Sequence, residues 1–179
     1  MSGRMGIFYS DSKMFIKKTA AVIVHDIQSR RWYRKFLKSC DLAISIRERY
    51  SETSDTPGTT MQVWDYTAEW RSREVGGVHI VWYPPEDAPF TGFWLVGLWV
   101  NWKYRGSGTG EQLCMGGIKR ARTEGAEEIH LLVNENNLAA ISLYKKIGFE
   151  QVSVPAFNEM LLKEKQRTGT MRILMRLAL

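Results

Sequence analysis

One stretch of the sequence, Trp94–Leu113, constrains the fold more than any other; it reads WLVGLWVNWKYRGSGTGEQL. Its first half is a run of apolar and aromatic residues, which is typical of a buried strand. A loop with several glycines follows at once, and a helical pattern begins after the loop. Glycines allow the backbone to turn with its N–H groups facing inward, and the start of a helix adds unpaired N–H groups and about half a positive charge. The stretch therefore predicts a strand, a loop and a helix that together hold an anion.

Spacing decides which kind of anion-binding loop this is. A P-loop would continue with Lys and then Ser or Thr after its last glycine, but Gly110 is followed by Glu111 and Gln112. A dinucleotide fingerprint, G-x-G-x-x-G, needs a third glycine where Glu111 or Leu113 stands. The spacing therefore excludes both motifs.

The pattern that does fit is R-x-x-G-x-G. It is formed by Arg105, Gly108 and Gly110, with Tyr104 in front and Gly106 as an additional hinge. This pattern resembles the pyrophosphate-binding loop of the GNAT-type N-acetyltransferases, which hold acetyl-coenzyme A (acetyl-CoA).

A second stretch, Val133–Phe149, reads VNENNLAAISLYKKIGF and resembles the other signature of that family, V-x-x-x-N-x-x-A-x-x-L-Y-x-K-x-G-F. The matching residues are Val133, Asn137, Ala140, Leu143, Tyr144, Lys146, Gly148 and Phe149. Two independent patterns in the family's order and spacing make the resemblance specific. They cover about a third of the chain, and the rest resembles the family by the order of its elements.

The resemblance implies a mixed α/β fold. In it, a central, mostly antiparallel, seven-stranded sheet is flanked by helices, and the fourth and fifth strands splay apart. The length suits a single domain over residues 1–179, and the resemblance makes residues 94–149 its cofactor-binding core. Residues 1–13 are polar and aperiodic, so we expect a loose tail there.

The other elements are predicted from periodicity and turn residues. Before residue 61 we expect, in order, a strand at Met14–Lys18, helices at Ala20–Ser39 and around Asp41–Tyr50, and a polar loop at Ser51–Thr60. The later strands are predicted at Met61–Tyr66, Val75–Tyr83, Phe93–Trp102, Ile129–Val133, Glu150–Val154 and Met171–Ala178, with a loop of variable charge between the last two. The later helices are predicted at Gly110–Glu124 and Asn137–Ile147.

Four residues have expected local roles in these later helices. We expect Asn137 to cap its helix at the start and Gly148 at the end. Gly116 and Gly117 lie inside a predicted helix, where glycine costs roughly 1 kcal/mol relative to alanine. We therefore expect the helix backbone to lie close against the sheet at these two positions.

The resemblance also implies which residues bind acetyl-CoA. In the family the pantetheine arm fills the gap between the splayed strands and pairs with the fourth, the pyrophosphate lies on the glycine loop, and an asparagine meets the pantetheine amide. The implied cofactor-binding residues are Leu98, Trp99, Val100, Arg105, Gly106, Ser107, Gly108, Thr109, Gly110, Asn137 and Tyr144.

Tyr144 is the implied catalytic residue, because in this motif the tyrosine points at the cofactor sulfur and in many members protonates the departing thiolate. A thiol pKa of about 8.5 and a phenol pKa of about 10 are close enough for a hydrogen bond or proton transfer to stabilise the leaving group. A tyrosine at this helical spacing is also common in a hydrophobic core. Cys114, in the helix after the loop, is interpreted as a packing residue and not as a nucleophile.

The general base is left open by the sequence. Several family members place a glutamate near the start of the fourth strand, where this chain has Phe93–Leu95 and no acid. The candidates on neighbouring segments are Asp65, Glu69, Glu74 and His79. Each of them is also an ordinary residue of a surface or turn.

Composition limits the classes of partner and the cellular compartment that we expect. The net charge is +6, but the basic residues are scattered at helical spacing, so nucleic-acid binding is disfavoured. No apolar run approaches the roughly 18–20 residues of a membrane span, so we expect no membrane partner. Cys40 and Cys114 match no metal or redox spacing, and the N-terminus lacks the apolar region of a secretory signal, so we expect a cytoplasmic protein.

The leading hypothesis is an N-acetyltransferase that moves an acetyl group from acetyl-CoA to a primary amine by direct attack in a ternary complex. The alternative is a non-catalytic acyl-CoA-binding or regulatory module that keeps the loop. The acceptor is open, because acceptor-binding residues come from the first half of the chain and the edge of the sheet. A homodimer is compatible with the resemblance, since dimers are frequent in the family.

Overall fold

The computed structural model describes residues 45–56 and 59–179, and this part of the chain contains one seven-stranded sheet. Its strands are β1 (Ser45–Thr56), β2 (Thr59–Trp70), β3 (Arg73–Tyr83), β4 (Gly92–Val100), β5 (Glu128–Asn134), β6 (Glu150–Val152) and β7 (Arg172–Ala178). They lie in the order β1-β2-β3-β4-β5-β7-β6, and all neighbours are antiparallel except β4 and β5, which are parallel. The predicted α/β fold with a mostly antiparallel, seven-stranded sheet is confirmed for the described residues.

Three α-helices flank the sheet in this part of the chain: α1 (Thr109–Thr123), α2 (Leu138–Ile147) and α3 (Pro155–Thr168). α1 lies on the face that Ile80 and Leu95 share, because a Cβ atom placed at Gly117 would overlap the Ile80 side chain. Trp94, the neighbour of Leu95 on β4, points to the other face, where it packs with Phe157 of α3. α1 and α3 therefore pack on opposite faces of the sheet.

The predicted close approach of a helix to the sheet is confirmed at both glycines of α1. A Cβ atom at Gly116 would lie 3.2 Å from Cδ1 of Tyr66, and one at Gly117 would overlap Ile80. The absence of side chains at these positions is what lets α1 lie across β2 and β3. The glycine loop before α1 is thereby held at the end of β4.

Two predictions for the residues before 61 are wrong. The helix expected around Asp41–Tyr50 and the loop expected at Ser51–Thr60 are replaced by β1 and the start of β2, which pair in register from Ser45 to Thr53 of β1. β1 lies at the edge of the sheet and its described side chains are mostly exposed, so it lacks the apolar alternation of a half-buried strand. Cross-strand ion pairs and backbone pairing with β2 determine the local structure instead.

The predicted loop between the last two strands is also wrong, because it contains α3. Pro155 occupies the first turn of this helix, and Gly169 ends it in the left-handed conformation at φ +73°. Phe157 and Leu161, four residues apart, are the buried residues of α3. The other apolar residues of the helix include Met160, which is partly buried, and Leu162, which is exposed, so the apolar residues do not form a clear amphipathic pattern.

Several predictions lie outside the described residues: the tail at residues 1–13, the strand at Met14–Lys18, the helix at Ala20–Ser39, and Cys40. The described residues all belong to one unit, Ala43–Leu179, and the single domain over residues 1–179 stays a prediction. None of the described helices is both long enough and apolar enough to cross a membrane.

Candidate functional site

The gap between β4 and β5 is the central feature of the candidate site. The two strands pair only at Phe93 and Trp94 of β4, and the rest of β4 has no partner on β5. The predicted splay is therefore confirmed. Leu98, Trp99 and Val100, the predicted pantetheine-binding residues, lie in this unpaired part. Backbone N–H and C=O groups there that face away from β3 are open to a ligand, apart from the Val100 carbonyl, which accepts a hydrogen bond from Arg105.

A β-bulge lies at Gly97, where β4 diverges from β5. His79 of β3 pairs with Val96, and Gly77 pairs with Trp99, so β4 has one residue more than β3 between the two pairs. Gly97 has φ +65°, in the left-handed region that favours glycine, and a bulge bends and twists its strand. Gly97 was not among the predicted site residues, although a glycine inside a strand pattern is a signal for a bulge.

Hydrogen bonds within the loop itself fix the shape of the segment after β4. Asn101 caps a short 3₁₀ turn, Trp102–Tyr104, by accepting a hydrogen bond from the backbone of the turn. The Ser107 hydroxyl donates to the Tyr104 carbonyl over 2.6 Å and lies 2.8 Å from the Thr109 hydroxyl. The hydroxyl groups of Ser107 and Thr109 are thus used in holding the loop.

The main chain of this loop presents unpaired donors. Gly106 and Gly108 have φ +79° and +95°, and Gly108 precedes the first residue of α1 without any side chain capping the helix. Among residues 45–56 and 59–179, the N–H groups of Gly106, Gly108, Thr109 and Gly110 have no hydrogen-bond acceptor. Unpaired N–H groups at a helix N-terminus are the kind of site that binds phosphate groups.

Arg105 links this loop to the open end of β4. Its Nε donates to the Val100 carbonyl over 2.8 Å, while the rest of its exposed guanidinium has no partner in the described part of the chain. A Cβ atom at Gly110 would lie 3.3 Å from Leu143 and 3.6 Å from Val100. The first turn of α1, the helix α2 and the end of β4 therefore meet at this corner of the site.

Tyr144 is buried in α2 but its hydroxyl reaches the surface. The residue is 6% exposed, and its ring packs edge-on against Phe149 with centroids 5.8 Å apart. The hydroxyl has no hydrogen-bond partner among the described residues, yet no fully buried side-chain oxygen or nitrogen there lacks one. The oxygen of Tyr144 is therefore accessible to solvent. Burial raises the pKa of this phenol, and the nearby Cys114 raises it further, so it stays protonated at neutral pH.

Asn137 and Gly148 cap α2 as predicted. The Asn137 side chain accepts a hydrogen bond from the Ala140 N–H over 3.2 Å, and Gly148 ends the helix at φ +111°. Asn137 is exposed, so its amide NH2 group stays available. Its contact with the pantetheine amide stays a prediction.

Cys114 has the properties of a packing residue. It lies in α1 with none of its surface exposed. Burial, together with the charge of Glu111, raises the pKa of its thiol to about 12. Because the thiolate is the nucleophilic form, a thiol with this pKa is inert at neutral pH.

The structure separates the four candidate bases into two groups. Glu69 and Glu74 both lie against Arg47, at 2.9 Å and 3.5 Å. Asp65 and His79 lie together, with Oδ1 of the aspartate 2.6 Å from Nδ1 of the histidine. This pair stands next to the bulge of β4, since His79 pairs with the residue before Gly97.

With this geometry in view, comparisons with known proteins agree with the resemblance seen in the motifs. The family model described as "Acetyltransferase (GNAT) family" matches residues 21–149. A mycothiol acetyltransferase of Thermobispora bispora is 35% identical over 68 residues, or 38% of this chain and 22% of that protein. The match thus spans about a fifth of the length of this curated relative.

Solved structures share the fold. A protein assigned as a streptothricin acetyltransferase of Bacillus anthracis, in complex with acetyl coenzyme A, has a TM-score of 0.58 at 16% identity, over 77% of this chain and 98% of that chain. A Bacillus subtilis acetyltransferase in complex with CoA has a TM-score of 0.53 at 18% identity, over 75% and 99%. The splayed strands, the glycine loop and a family match over most of the chain lead to one conclusion: this chain belongs to the GNAT family of acetyltransferases.

Proposed function

We propose that this chain transfers an acetyl group from acetyl-CoA to a primary amine, which attacks the thioester directly while both substrates are bound. The observation that carries the proposal is the separation of β4 from β5 next to the unpaired N–H groups at the start of α1. A gap lined by main-chain groups suits an extended arm with amide bonds. A helix N-terminus beside it suits a diphosphate.

The glycine loop binds the diphosphate through the N–H groups of Gly106, Gly108, Thr109 and Gly110. The helix dipole adds about 0.3–1 kcal/mol for an anion at an exposed N-terminus. Arg105 supplies a full positive charge at the same place, and its guanidinium has free N–H groups to donate. The loop thus holds the cofactor mainly by backbone, so its shape matters more than its side chains.

Tyr144 donates a hydrogen bond to the sulfur as the thiolate leaves. Its raised pKa keeps the proton on the hydroxyl, which suits a donor. Complete transfer from a phenol of pKa 10 or higher to a thiolate of pKa about 8.5 costs at least about 2 kcal/mol. We therefore expect Tyr144 to act through a hydrogen bond that strengthens as charge develops on sulfur.

The acceptor must lose a proton before it attacks. For a lysine-like amine of pKa about 10.4 this costs roughly 4.6 kcal/mol at pH 7, whereas an α-amino group of pKa about 8 costs only about 1 kcal/mol. The need for a general base therefore grows with the basicity of the acceptor.

Thiol release from acetyl-CoA tests the proposal. Because the names of these two proteins, a mycothiol acetyltransferase and a streptothricin acetyltransferase, differ in the compound they mention, the assay uses amines of several classes. These are glucosamine, spermidine, Nα-acetyl-L-lysinamide and L-alaninamide. We expect calorimetric binding of acetyl-CoA at micromolar concentration and amine-dependent thiol release with at least one of them.

Three outcomes contradict parts of this proposal. Failure to bind acetyl-CoA at micromolar concentration contradicts all of it. Binding without thiol release favours the alternative, a non-catalytic acyl-CoA-binding module. An acetylated protein detected by mass spectrometry before amine is added contradicts direct attack.

A further inference from the structure

A row of polar side chains crosses the sheet on the face opposite α1. Arg49 of β1, Asp65 of β2 and His79 of β3 stand directly opposite one another in the strand register. Arg49 Nη2 lies 3.2 Å from Asp65 Oδ2, and Asp65 Oδ1 lies 2.6 Å from His79 Nδ1. Because Ile80 points toward α1, the adjacent His79 points away from it.

The carboxylate of Asp65 determines where the proton of His79 lies. Burial alone would raise the pKa of Asp65, but hydrogen bonds from His79 and Arg49 outweigh burial and lower this pKa. An ionised carboxylate only accepts hydrogen bonds, so Nδ1 of the imidazole carries the proton and donates it. In the neutral ring, Nε2 then has a free lone pair and is the basic atom.

The Nε2 edge of His79 lies over the bulge of β4. A Cβ atom at Gly97 would lie 2.9 Å from Cδ2 and 3.5 Å from Nε2 of the ring. Gly97 stands between the part of β4 that pairs with β5 and the part that opens into the gap. The histidine side chain is 47% exposed, and Nε2 has no hydrogen-bond partner among the described residues. Nε2 is therefore accessible from solvent at the point where the strands part.

Trp99 extends this face beside the histidine. It is 45% exposed, and its Nε1 would lie 2.8 Å from a Cβ atom placed at Gly77, two residues before His79 on β3. Two glycines, one on each strand, thus let two rings lie flat on the sheet. An exposed indole face beside a base suits an ammonium group that has yet to lose its proton.

We propose that His79 is the general base of the transfer reaction, with Nε2 taking a proton from the ammonium group of the acceptor and Asp65 positioning the ring. This inference rests on the proposed function and adds to it the base and the face from which the amine enters. The amine approaches from the side of the sheet opposite α1.

His79 takes one proton from the acceptor R–NH3⁺ and becomes an imidazolium, which leaves R–NH2 with a free electron pair. The nitrogen forms a bond to the acetyl carbonyl carbon as the C–S bond breaks, and the electron pair of that bond leaves with sulfur. The hydrogen bond from Tyr144 stabilises the departing thiolate, which takes up the second proton that the new amide nitrogen loses. His79 then passes its proton to water, so the products are the N-acetylated amine, the CoA thiol and one proton.

Two probe amines separate a base from a structural residue. They are Nα-acetyl-L-lysinamide, with an amine pKa of about 10.4, and L-alaninamide, with a pKa of about 8. His79→Gln should lower kcat/KM for the lysine probe by about 10²–10⁴-fold. The loss with L-alaninamide should be about tenfold or less, because roughly a tenth of this amine is already unprotonated at pH 7 without any base. Acetyl-CoA affinity and thermal stability should stay unchanged, since His79 is half-exposed and away from the glycine loop.

Three variants complete the test. His79→Ala should regain activity when imidazole is added. No such rescue is expected if His79 has only a structural role. Asp65→Asn should lower the rate less than His79→Gln and add nothing in the His79→Gln background, because Asp65 acts through the ring. Glu74→Gln removes a carboxylate from the same strand as His79 and should leave both rates unchanged.

The failures of the two proposals are distinguishable. Unchanged rates in His79→Gln overturn the inference alone. Equal losses with both amines, without rescue by imidazole, indicate a structural role and also overturn it alone. Wild-type protein that binds no acetyl-CoA, or releases no thiol with any of the four amines, overturns the proposed function and this inference together.

Discussion

Two parts of the chain contribute two different kinds of surface. Residues Trp94–Phe149 contribute mainly main-chain groups, which are the open end of β4 and the N–H groups at the start of α1. Residues Ser45–Tyr83 contribute charged side chains in a row, Arg49, Asp65 and His79. The main-chain surface is specified locally, by glycines at fixed spacing. The side-chain surface depends on strand register, which no local pattern shows.

Substitutions on the two surfaces should therefore have different effects. Changes in the glycine loop should alter cofactor binding and leave chemistry intact, whereas changes in the polar row should do the reverse. Tyr144 is the exception, because it lies within residues Trp94–Phe149 and yet acts through its side chain on the reacting sulfur.

Tyr144→Phe should have the largest effect on the rate. We expect kcat to fall by about 10²–10⁴-fold, because the leaving thiolate loses its hydrogen-bond donor. Acetyl-CoA affinity and the free energy of unfolding should change little, since the hydroxyl has no partner among the described residues that the phenyl ring would leave unsatisfied. Thiol-release assays at saturating acetyl-CoA measure kcat, and titration calorimetry measures the affinity for acetyl-CoA. A full rate in this variant would remove Tyr144 from the mechanism.

Gly108→Asp should weaken acetyl-CoA binding by about 100-fold, through its charge and through the shape of the loop. A Cβ atom at Gly108 has nothing within 4 Å, and Asp and Asn are the side chains that best tolerate positive φ. Gly108→Asn is therefore the matched control, with the same shape and no charge, and should lose only about tenfold. Calorimetry at two salt concentrations should show a smaller difference in affinity between the Asp and Asn variants at high salt, because salt screens the charge. Equal losses in both variants would assign the effect to loop shape alone.

The same contrast explains which features were predictable from sequence. The start of α1, the roles of Gly116 and Gly117, and the caps of α2 at Asn137 and Gly148 are set by residues adjacent in sequence, and these predictions hold. Register with β2 determines the exposed strand β1, and two buried side chains hold α3, so local periodicity missed both elements.

The pairing of Asp65 with His79 could not be read from sequence either. Both were candidate bases, but so were Glu69 and Glu74, and only the register of β2 against β3 distinguishes the pair from the two glutamates beside Arg47. Gly97 was visible as a glycine in a strand. Its role depends on the one-residue offset between β3 and β4, which is a property of the pair of strands.

Gly97→Ala tests whether the bulge and the polar row act together. Gly92→Ala is its matched control, because both glycines lie in β4 at positive φ, +65° and +73°, but only the Cβ atom at Gly97 meets another side chain, that of His79. Each substitution should cost about 1–2 kcal/mol of stability from backbone strain. Only Gly97→Ala should also lower kcat/KM for Nα-acetyl-L-lysinamide, by about tenfold, because a displaced ring is a poorer base. Equal activity in the two variants would show that the position of the ring over Gly97 is irrelevant to the chemistry.

Cys114→Ala should have the smallest effect on activity, none at neutral pH, and its consequence is confined to alkaline stability. The folded pKa of about 12 lies above the unfolded value of about 8.5, so the buried thiol contributes its full stability below about pH 8.5. Above that pH the unfolded state loses the proton first, and stability falls until the pH passes the folded pKa. At about pH 10 the loss amounts to about 2 kcal/mol.

Urea unfolding of wild type and variant near neutral pH and at about pH 10 should show this loss only in the wild type. Since an unfolded tyrosine also titrates from about pH 10, the comparison stays at or below that pH, where Tyr144 contributes little. A buried, protonated thiol would be contradicted if the free energy of unfolding had the same pH dependence in both proteins, or if Cys114 were alkylated rapidly near neutral pH. Cys114 would then again be a candidate nucleophile next to the glycine loop.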